Sequence, residues 1–216
     1  MTLNKATLSE QIYQILRKDI LTQQIPCGEK LTLKLLKERF QVSSTPIREA
    51  LTRLVQDKLI SYYSNVGVRV IQPRKQELEK IYEFMGDLDG LAIRYAAAHP
   101  QQEAVLEGVR GVLLRGQQAL EANEPLEWNQ ASDDFHLEFY RFCRNPYLTE
   151  SAERMRSQLT IFSYRYGQQP EIEESIQREH QEIFQAYEAG FPEQAVSLMK
   201  EHLQASLLHA LEYIKL

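Results

Sequence analysis

The chain has 216 residues, 43% of them hydrophobic and 25% charged, with a formal net charge of −5. That length and apolar content suit one large core or two modest ones. No apolar run is long enough to cross a bilayer, so no membrane partner is expected, and two cysteines without a CxxC spacing exclude a cysteine-based metal module and suit a reducing compartment.

Met1 to Lys5 lead directly into an amphipathic stretch with no apolar leader or cleavage site, so a cytoplasmic protein is expected. Gln11 to Leu16, followed by Ile20 and Leu21, form a first helix, and Ile25-Pro26-Cys27-Gly28 a turn. Thr32 to Phe40 form a short second helix, and Gln41-Val42-Ser43 is a turn of the length that joins two helices of a helix-turn-helix. The stretch Val42 to Lys58 then supplies the recognition helix. Thr45 is placed to cap it and Pro46 suits its first turn. Ile47, Ala50, Leu51, Leu54 and Val55 recur at helical spacing as a core-facing stripe, which leaves Thr45, Glu49, Thr52 and Gln56 pointing outward, with Arg48 and Arg53 on the flanks. Leu59 to Tyr63 and Val68 to Ile71 are rich in β-branched and aromatic residues around the turn-forming Ser64-Asn65-Val66-Gly67, and so predict a hairpin. Helix, turn, helix and hairpin make a winged helix-turn-helix.

Pro73 ends the hairpin, and the boundary is placed near 74: a winged head over 1–74 and a second domain over 75–216. The charge divides at the same place. Residues 1–73 hold eleven Lys/Arg against six Asp/Glu, and 74–216 hold fourteen against twenty-four. A phosphate backbone attracts the first part and repels the second, so double-stranded DNA is expected to meet only the head. From Glu77 onward the periodicity is helical. Ile81, Phe84, Met85, Leu88, Leu91, Ala92 and Tyr95 form one stripe, and further helices are predicted near 101–122, 126–143, 147–166, 171–189 and 192–214. The fold class is therefore mainly α, with the winged head followed by an all-α antiparallel bundle of about six helices joined by short loops.

The run Val42-Ser43-Ser44-Thr45-Pro46-Ile47-Arg48-Glu49-Ala50-Leu51 resembles the V-S-R-T-P-V-R-E-A-L motif of GntR-type bacterial transcription regulators, and Ile25 to Leu31 resembles that family's exit from its first helix. The resemblance implies that Lys34 contacts phosphate, that Ser43, Ser44, Thr45 and Arg48 enter the major groove, and that Asn65, Gly67 and Arg69 form the wing contact. Arg48 is the candidate for guanine readout, since its planar fork matches O6 and N7. Ser44 stands where the family commonly has Arg, which implies a different or looser operator. Arg53 and Lys58 are read as solvent charges.

Three of five histidines, His136, His180 and His202, fall in the middle of predicted helices. Taken alone, each is either a hydrogen-bonded core residue or a ligand. Phe135-His136, His180 through Ala186 and Ala195 through His202 resemble the FCD effector domain, which in the GntR group is fused to this head. The resemblance implies a divalent metal, Zn(II), Mn(II) or Ni(II), held by three histidines and a carboxylate four residues before the first, and a small carboxylate effector anchored on that metal. Ser132 occupies the carboxylate's place here. Either Asp133 replaces it or water completes the site. Arg94 and Tyr140 are candidate effector contacts or, alternatively, interhelical packing or ion-pair groups. His99 and His209 are read as structural or exposed, and Phe162 to Tyr166 as a pocket wall, a dimer seam or plain packing.

The expected function is a ligand-responsive regulator, in the family's usual sense a repressor, that binds an inverted-repeat operator as a homodimer. A metalloenzyme using the histidines is the alternative, although HExxH, GxSxG and P-loop motifs are absent from the sequence. A helical interaction protein would explain the bundle and leave the head without a purpose.

Overall fold

In the computed structural model, which describes residues 7–63, 67–72, 74–166 and 169–213, the chain falls into two units, Met1–Pro73 and Arg74–Leu216. The first unit opens with α1 (Leu8–Leu21), started by the Thr7 hydroxyl, which accepts from the Glu10 backbone N–H. It buries Ile12, Tyr13, Leu16 and Ile20. Two-residue β1 (Lys30–Leu31) precedes α2 (Leu33–Phe40), which is capped by Thr32 and stopped by Gln41 in the left-handed conformation. Recognition helix α3 (Ser44–Gln56) follows at once, burying Ile47, Ala50, Leu51 and Leu54.

The start of α3 corrects one expectation. Ser43, not Thr45, holds the N-cap position, and it does so without a side-chain hydrogen bond. Three hydroxyls in a row offered three possible starts, and the tight turn after Gln41 selects the first. Pro46 still lies in the first turn, where its missing N–H has no intrahelical partner to lose.

Strands β2 (Ile60–Tyr63) and β3 (Gly67–Val70) pair antiparallel, with Ile60 opposite Val70 and Tyr62 opposite Val68. β1 adds to the free edge of β3, giving the order β1-β3-β2. Leu31, Ile60, Val68 and Val70 are buried. A two-residue strand carries no readable periodicity, which is why β1 is absent from the sequence reading. Gly28, at φ 78°, turns the chain into β1, and a Cβ there would collide with the Gln72 side chain.

The second unit holds six helices among the described residues: α4 (Lys75–Ala97), α5 (Gln102–Glu121), α6 (Pro125–Arg141), α7 (Pro146–Tyr166), α8 (Pro170–Glu188) and α9 (Pro192–Tyr213). Four of them open on proline, whose fixed φ suits a first helical position. They form an antiparallel bundle in which α4 packs against α5, α6, α7 and α9. Gly90 lets α9 come close, since a Cβ there would stand 3.0 Å from Val196 Cγ1.

The apolar stripe expected on α4 is split by the structure. Met85, Leu88 and Ala92 are buried, whereas Phe84, Leu91 and Tyr95 are 46%, 39% and 46% exposed. A helix with neighbours on several sides buries a sector set by those neighbours, and Asp89 and Gly90 sit inside that sector although neither belongs to an apolar pattern. No helix among the described residues is long and apolar enough to cross a membrane.

Candidate nucleic-acid face and metal centre

In the head, the N-terminal end of α3 is open to solvent. Ser43, Thr45 and Arg48 are exposed and Ser44 is half-buried, so their donors stand with the positive end of the helix dipole. Lys34 on α2 is also exposed, and neither it nor Arg48 has an ion-pair partner among the described residues. Arg69 is placed differently from a free wing cation: it is half-buried, and its Nη1 donates to the Gly28 carbonyl at 2.8 Å, tying β3 to the turn before β1. Gly67 is exposed at φ 96°, and Asn65 lies outside the described residues. Two exposed aromatics beside the wing turn, Tyr62 (62%) and Tyr63 (48%), were missed by the sequence reading. The signal was available, because adjacent residues of a strand face opposite ways and two tyrosines in succession cannot both face inward.

Arg53, read as a solvent charge, has a structural task. Its guanidinium bonds Glu10 on α1 and lies over the Tyr13 ring at 3.9 Å, and the Tyr13 hydroxyl donates to Asp57 at 2.5 Å. Burial, then the Asp57 bond, push the Tyr13 hydroxyl up to about 12. Recognition helix and first helix are thus clamped together at the end away from Arg48. Lys58 makes the left-handed turn that leads into β2, at φ 59°.

In the bundle, α6, α8 and α9 bring His136, His180 and His202 together. All three are buried, and their ligand-capable nitrogens lie within 4.8 Å of one another. His180 Nε2 is 3.2 Å from His202 Nε2, and the His180 ring stacks on Phe135 at 4.1 Å. Two of the rings are oriented from behind by carboxylates: His136 Nδ1 meets Asp89 Oδ2 at 2.9 Å, and His202 Nδ1 meets Glu179 Oε2 at 2.7 Å. A carboxylate behind the far nitrogen is the usual device for aiming the other nitrogen at a metal. Burial, then the nearby Arg156 charge, hold the His136 imidazolium down to about 3 against the pull of Asp89. Burial, then His202 and His136, hold His180 well below its ordinary value. Neutral imidazoles are what a divalent ion requires, so the donor set fits a metal.

Asp133 does not join this group. Its Oδ2 accepts from Thr160 Oγ1 at 2.7 Å, on the wall of a cavity that is also lined by Ser132, His136 and His202. Tyr140 is buried outside that cavity, with its hydroxyl donating to Asp89 Oδ1 at 2.6 Å. Arg94 is not brought to the histidines: it makes a two-pronged surface pair with Glu193, both bonds 2.7 Å. His99 Nδ1 accepts from the Gln101 backbone and its ring packs edge-on against Phe142. The sequence reading missed Asp89, Glu179 and Arg156. Arg156 is buried and bonds Asp89 at 2.6 Å, while burial, then Asp89, act on its guanidinium with a net upward shift.

The buried histidines make metal-free protein acid-sensitive. His136 titrates near 6.5 when unfolded and near 3 when folded, so between those values the unfolded chain binds more protons and stability falls with pH. Chemical denaturation of metal-free protein is expected to show stability falling, on account of His136, by up to about 1.4 kcal/mol per pH unit as the pH drops from about 6 to 4.5. The His136→Gln variant should show a shallower slope, and an equal slope would mean that His136 is protonated in the folded state.

A winged helix-turn-helix with an open recognition helix, followed in the chain by a helical domain built around buried ligand-capable side chains, defines a DNA-binding regulator that responds to a ligand. The comparisons with known proteins agree. The chain belongs to the FCD domain family, whose model matches residues 80–205, and its head over residues 8–70 matches the gntR family of bacterial regulatory proteins. It is 27% identical over 198 residues to the HTH-type transcriptional repressor GlaR of Escherichia coli strain K12, covering 88% of this chain and 90% of that one. It is 26% identical over 206 residues to the probable D-xylose utilization operon transcriptional repressor of Paenarthrobacter nicotinovorans, covering 95% and 89%. Its fold matches a crystal structure of a GntR regulator from Rhodococcus sp. RHA1 with a TM-score of 0.80 at 19% identity, covering 96% of this chain and 99% of that one. The protein is a transcriptional regulator and not an enzyme, which sets aside the metalloenzyme alternative. FCD domains often bind metal, and a histidine cluster is present here.

Proposed function

We propose that the protein is a repressor that binds an inverted-repeat DNA operator as a homodimer and is released, or held, by a small carboxylate bound with a divalent metal in the helical domain. Residues 1–74 carry the DNA contacts and 75–216 the effector site and the dimer contacts. The observation that carries the reading is the histidine group: three buried rings facing one another, two of them steered by Asp89 and Glu179, on a chain whose head presents an open recognition helix. His136, His180 and His202 hold the ion, and with Asp133 engaged by Thr160 the remaining positions fall to water and effector. The ion supplies a Lewis-acidic anchor for a carboxylate; the three imidazoles do not discriminate between Zn(II), Mn(II) and Ni(II). The exposed Phe84, Leu91 and Tyr95 on α4 support a homodimer, since a stripe of this kind seeks cover. The relatives named as repressors support the sign of regulation. A cytoplasmic location is in keeping with DNA as the partner.

On the DNA side, Lys34, Ser43, Ser44, Thr45 and Arg48 make the contacts from α2 and α3, and Gly67, Asn65 and the remaining N–H groups of Arg69 make those of the wing. The test is binding of the full-length protein to DNA upstream of its own gene, with and without metal and candidate carboxylates. In that assay Arg48→Ala is expected to weaken operator binding by about 1–3 kcal/mol and to relax base preference, because one bidentate guanine contact is lost while the fold remains. Equal weakening on every sequence would reduce Arg48 to a phosphate contact, and unchanged affinity would remove α3 from the interface. Coupling to the effector is a difference in affinity between the DNA-competent and incompetent states, typically ~1–3 kcal/mol.

A further inference from the structure

Arg53 belongs to the helix that is read as meeting DNA, yet its charge is committed inside the head. Its guanidinium bonds Glu10 on α1 and lies 3.9 Å over the Tyr13 ring. Gln14 Nε2 donates to the other Glu10 oxygen at 2.8 Å. One turn beyond Arg53, the Tyr13 hydroxyl donates at 2.5 Å to Oδ2 of Asp57, the residue that ends α3. Arg53 and Asp57 stand at i and i+4, and Glu10, Tyr13 and Gln14 at i, i+3 and i+4, so one face of each helix holds one face of the other. The contact is only partly buried, with the Arg53 and Glu10 side chains 41% and 32% exposed, and an exposed ion pair adds little to stability. What it adds is direction.

The residues that α3 buries, Ile47, Ala50, Leu51 and Leu54, are apolar. Apolar burial is non-directional, so by itself it fixes the rotation of a helix about its own axis only loosely. Arg48 precedes Arg53 by five residues, about 140° around a helix of 3.6 residues per turn. Holding Arg53 against α1 therefore turns Arg48 outward, where it is exposed. A rotation of about 20° would carry a group on the helix surface, about 5–6 Å from the axis, through about 2 Å, enough to break a hydrogen bond to a base edge. We infer that Glu10, Tyr13, Arg53 and Asp57 form a clamp that sets the azimuth of the recognition helix, so that Glu10 and Arg53 are positioning residues for base readout and Arg53 is withheld from the phosphates. The inference rests on the reading of α3 as the helix that meets DNA, and adds to it residues that act through Arg48 without touching the duplex.

Glu10 separates the clamp from a phosphate contact. By charge alone, removing its carboxylate makes the head more basic and strengthens its hold on any duplex. Through the clamp, the same change frees α3 and weakens binding only where bases are read.

The test is fluorescence anisotropy of the full-length protein with two duplexes over a range of salt: the one that wild-type protein selects from a random pool, and a shuffled duplex of the same composition. Glu10→Gln should weaken the selected duplex about fivefold, the most that an exposed ion pair contributes, and should bind the shuffled duplex no more weakly than wild type. Arg53→Gln should weaken the selected duplex about tenfold, on the scale of one bidentate base contact. The two changes together leave the net charge as it was. They should lose no more than Arg53→Gln alone, since both remove one contact, and should keep the wild-type salt dependence and shuffled-duplex affinity. Tyr13→Phe, which only takes the hydroxyl from Asp57, should lower the ratio of selected to shuffled affinity in the same direction. Tighter binding of both duplexes by Glu10→Gln, additive losses in the double variant, or a salt slope reduced by about one in that variant would overturn the clamp and make Arg53 a phosphate contact. Equal losses on both duplexes would overturn it in favour of a general loosening of the head. Arg48→Ala, measured alongside, keeps the two readings apart. If it weakens the selected duplex while the clamp variants do not, the clamp alone is refuted; if none of them does, the reading of α3 falls with it.

Discussion

Replacing Asp89 with alanine is expected to destabilise the protein by about 3–5 kcal/mol, the usual consequence of removing one partner of a buried ion pair and leaving the other charged. Asp89 is 1% exposed and accepts from three groups at once: Arg156 Nη2, Tyr140 Oη and His136 Nδ1. The Arg156 charge, then His136, hold its carboxyl far below the ordinary range despite burial, which otherwise raises it. Without it, Arg156 is an uncompensated cation inside the bundle and two further donors lose their acceptor. Arg94→Ala is the control, since its pair with Glu193 is exposed on both sides and is expected to change stability by well under about 1 kcal/mol. Urea unfolding followed by circular dichroism distinguishes them. If Asp89→Ala unfolds at the wild-type midpoint, the network does not organise the bundle.

Loss of a histidine should affect metal binding on a comparable scale. His180→Ala or His202→Ala is expected to reduce affinity for the divalent ion by more than about 100-fold. Glu179→Gln, which only loosens the aim of His202, should cost about 10- to 100-fold. His99→Ala and His209→Ala should retain wild-type occupancy. Elemental analysis of purified variants, with chelator competition for the affinities, reads all of these. Helix content should survive each change, because a bundle with a core of this size does not depend on its ion for folding as a zinc finger does. Asp133→Ala separates the two ways of completing the site: near-normal metal uptake is expected, since its carboxylate is held by Thr160 outside the histidine group. A loss as large as that of His180→Ala would restore Asp133 as a ligand.

Local chemistry was legible along the chain. The predicted bundle helices fall close to α4 to α9, and helical spacing places the buried residues of α3 with Val55 alone moved to the half-buried rim. Each of these depends on residues within a turn or two of one another, so the sequence carries them without help. The motif around Arg48 and the three histidines were legible by resemblance to known regulators, and the histidines do converge.

Tertiary structure alone decided which groups stand behind them. Asp89 lies 47 residues from His136 and 67 from Arg156, and Glu179 lies 23 from His202. No spacing rule links positions on different helices, because their meeting depends on how the helices rotate about their own axes as they pack. The same rotation exposes Phe84, Leu91 and Tyr95 while burying Asp89 on the same helix, and it turns Arg94 to Glu193 at the surface and Arg156 into the cavity. Residue identity determines what each side chain is able to bind, and the azimuth of its helix in the bundle determines what it meets.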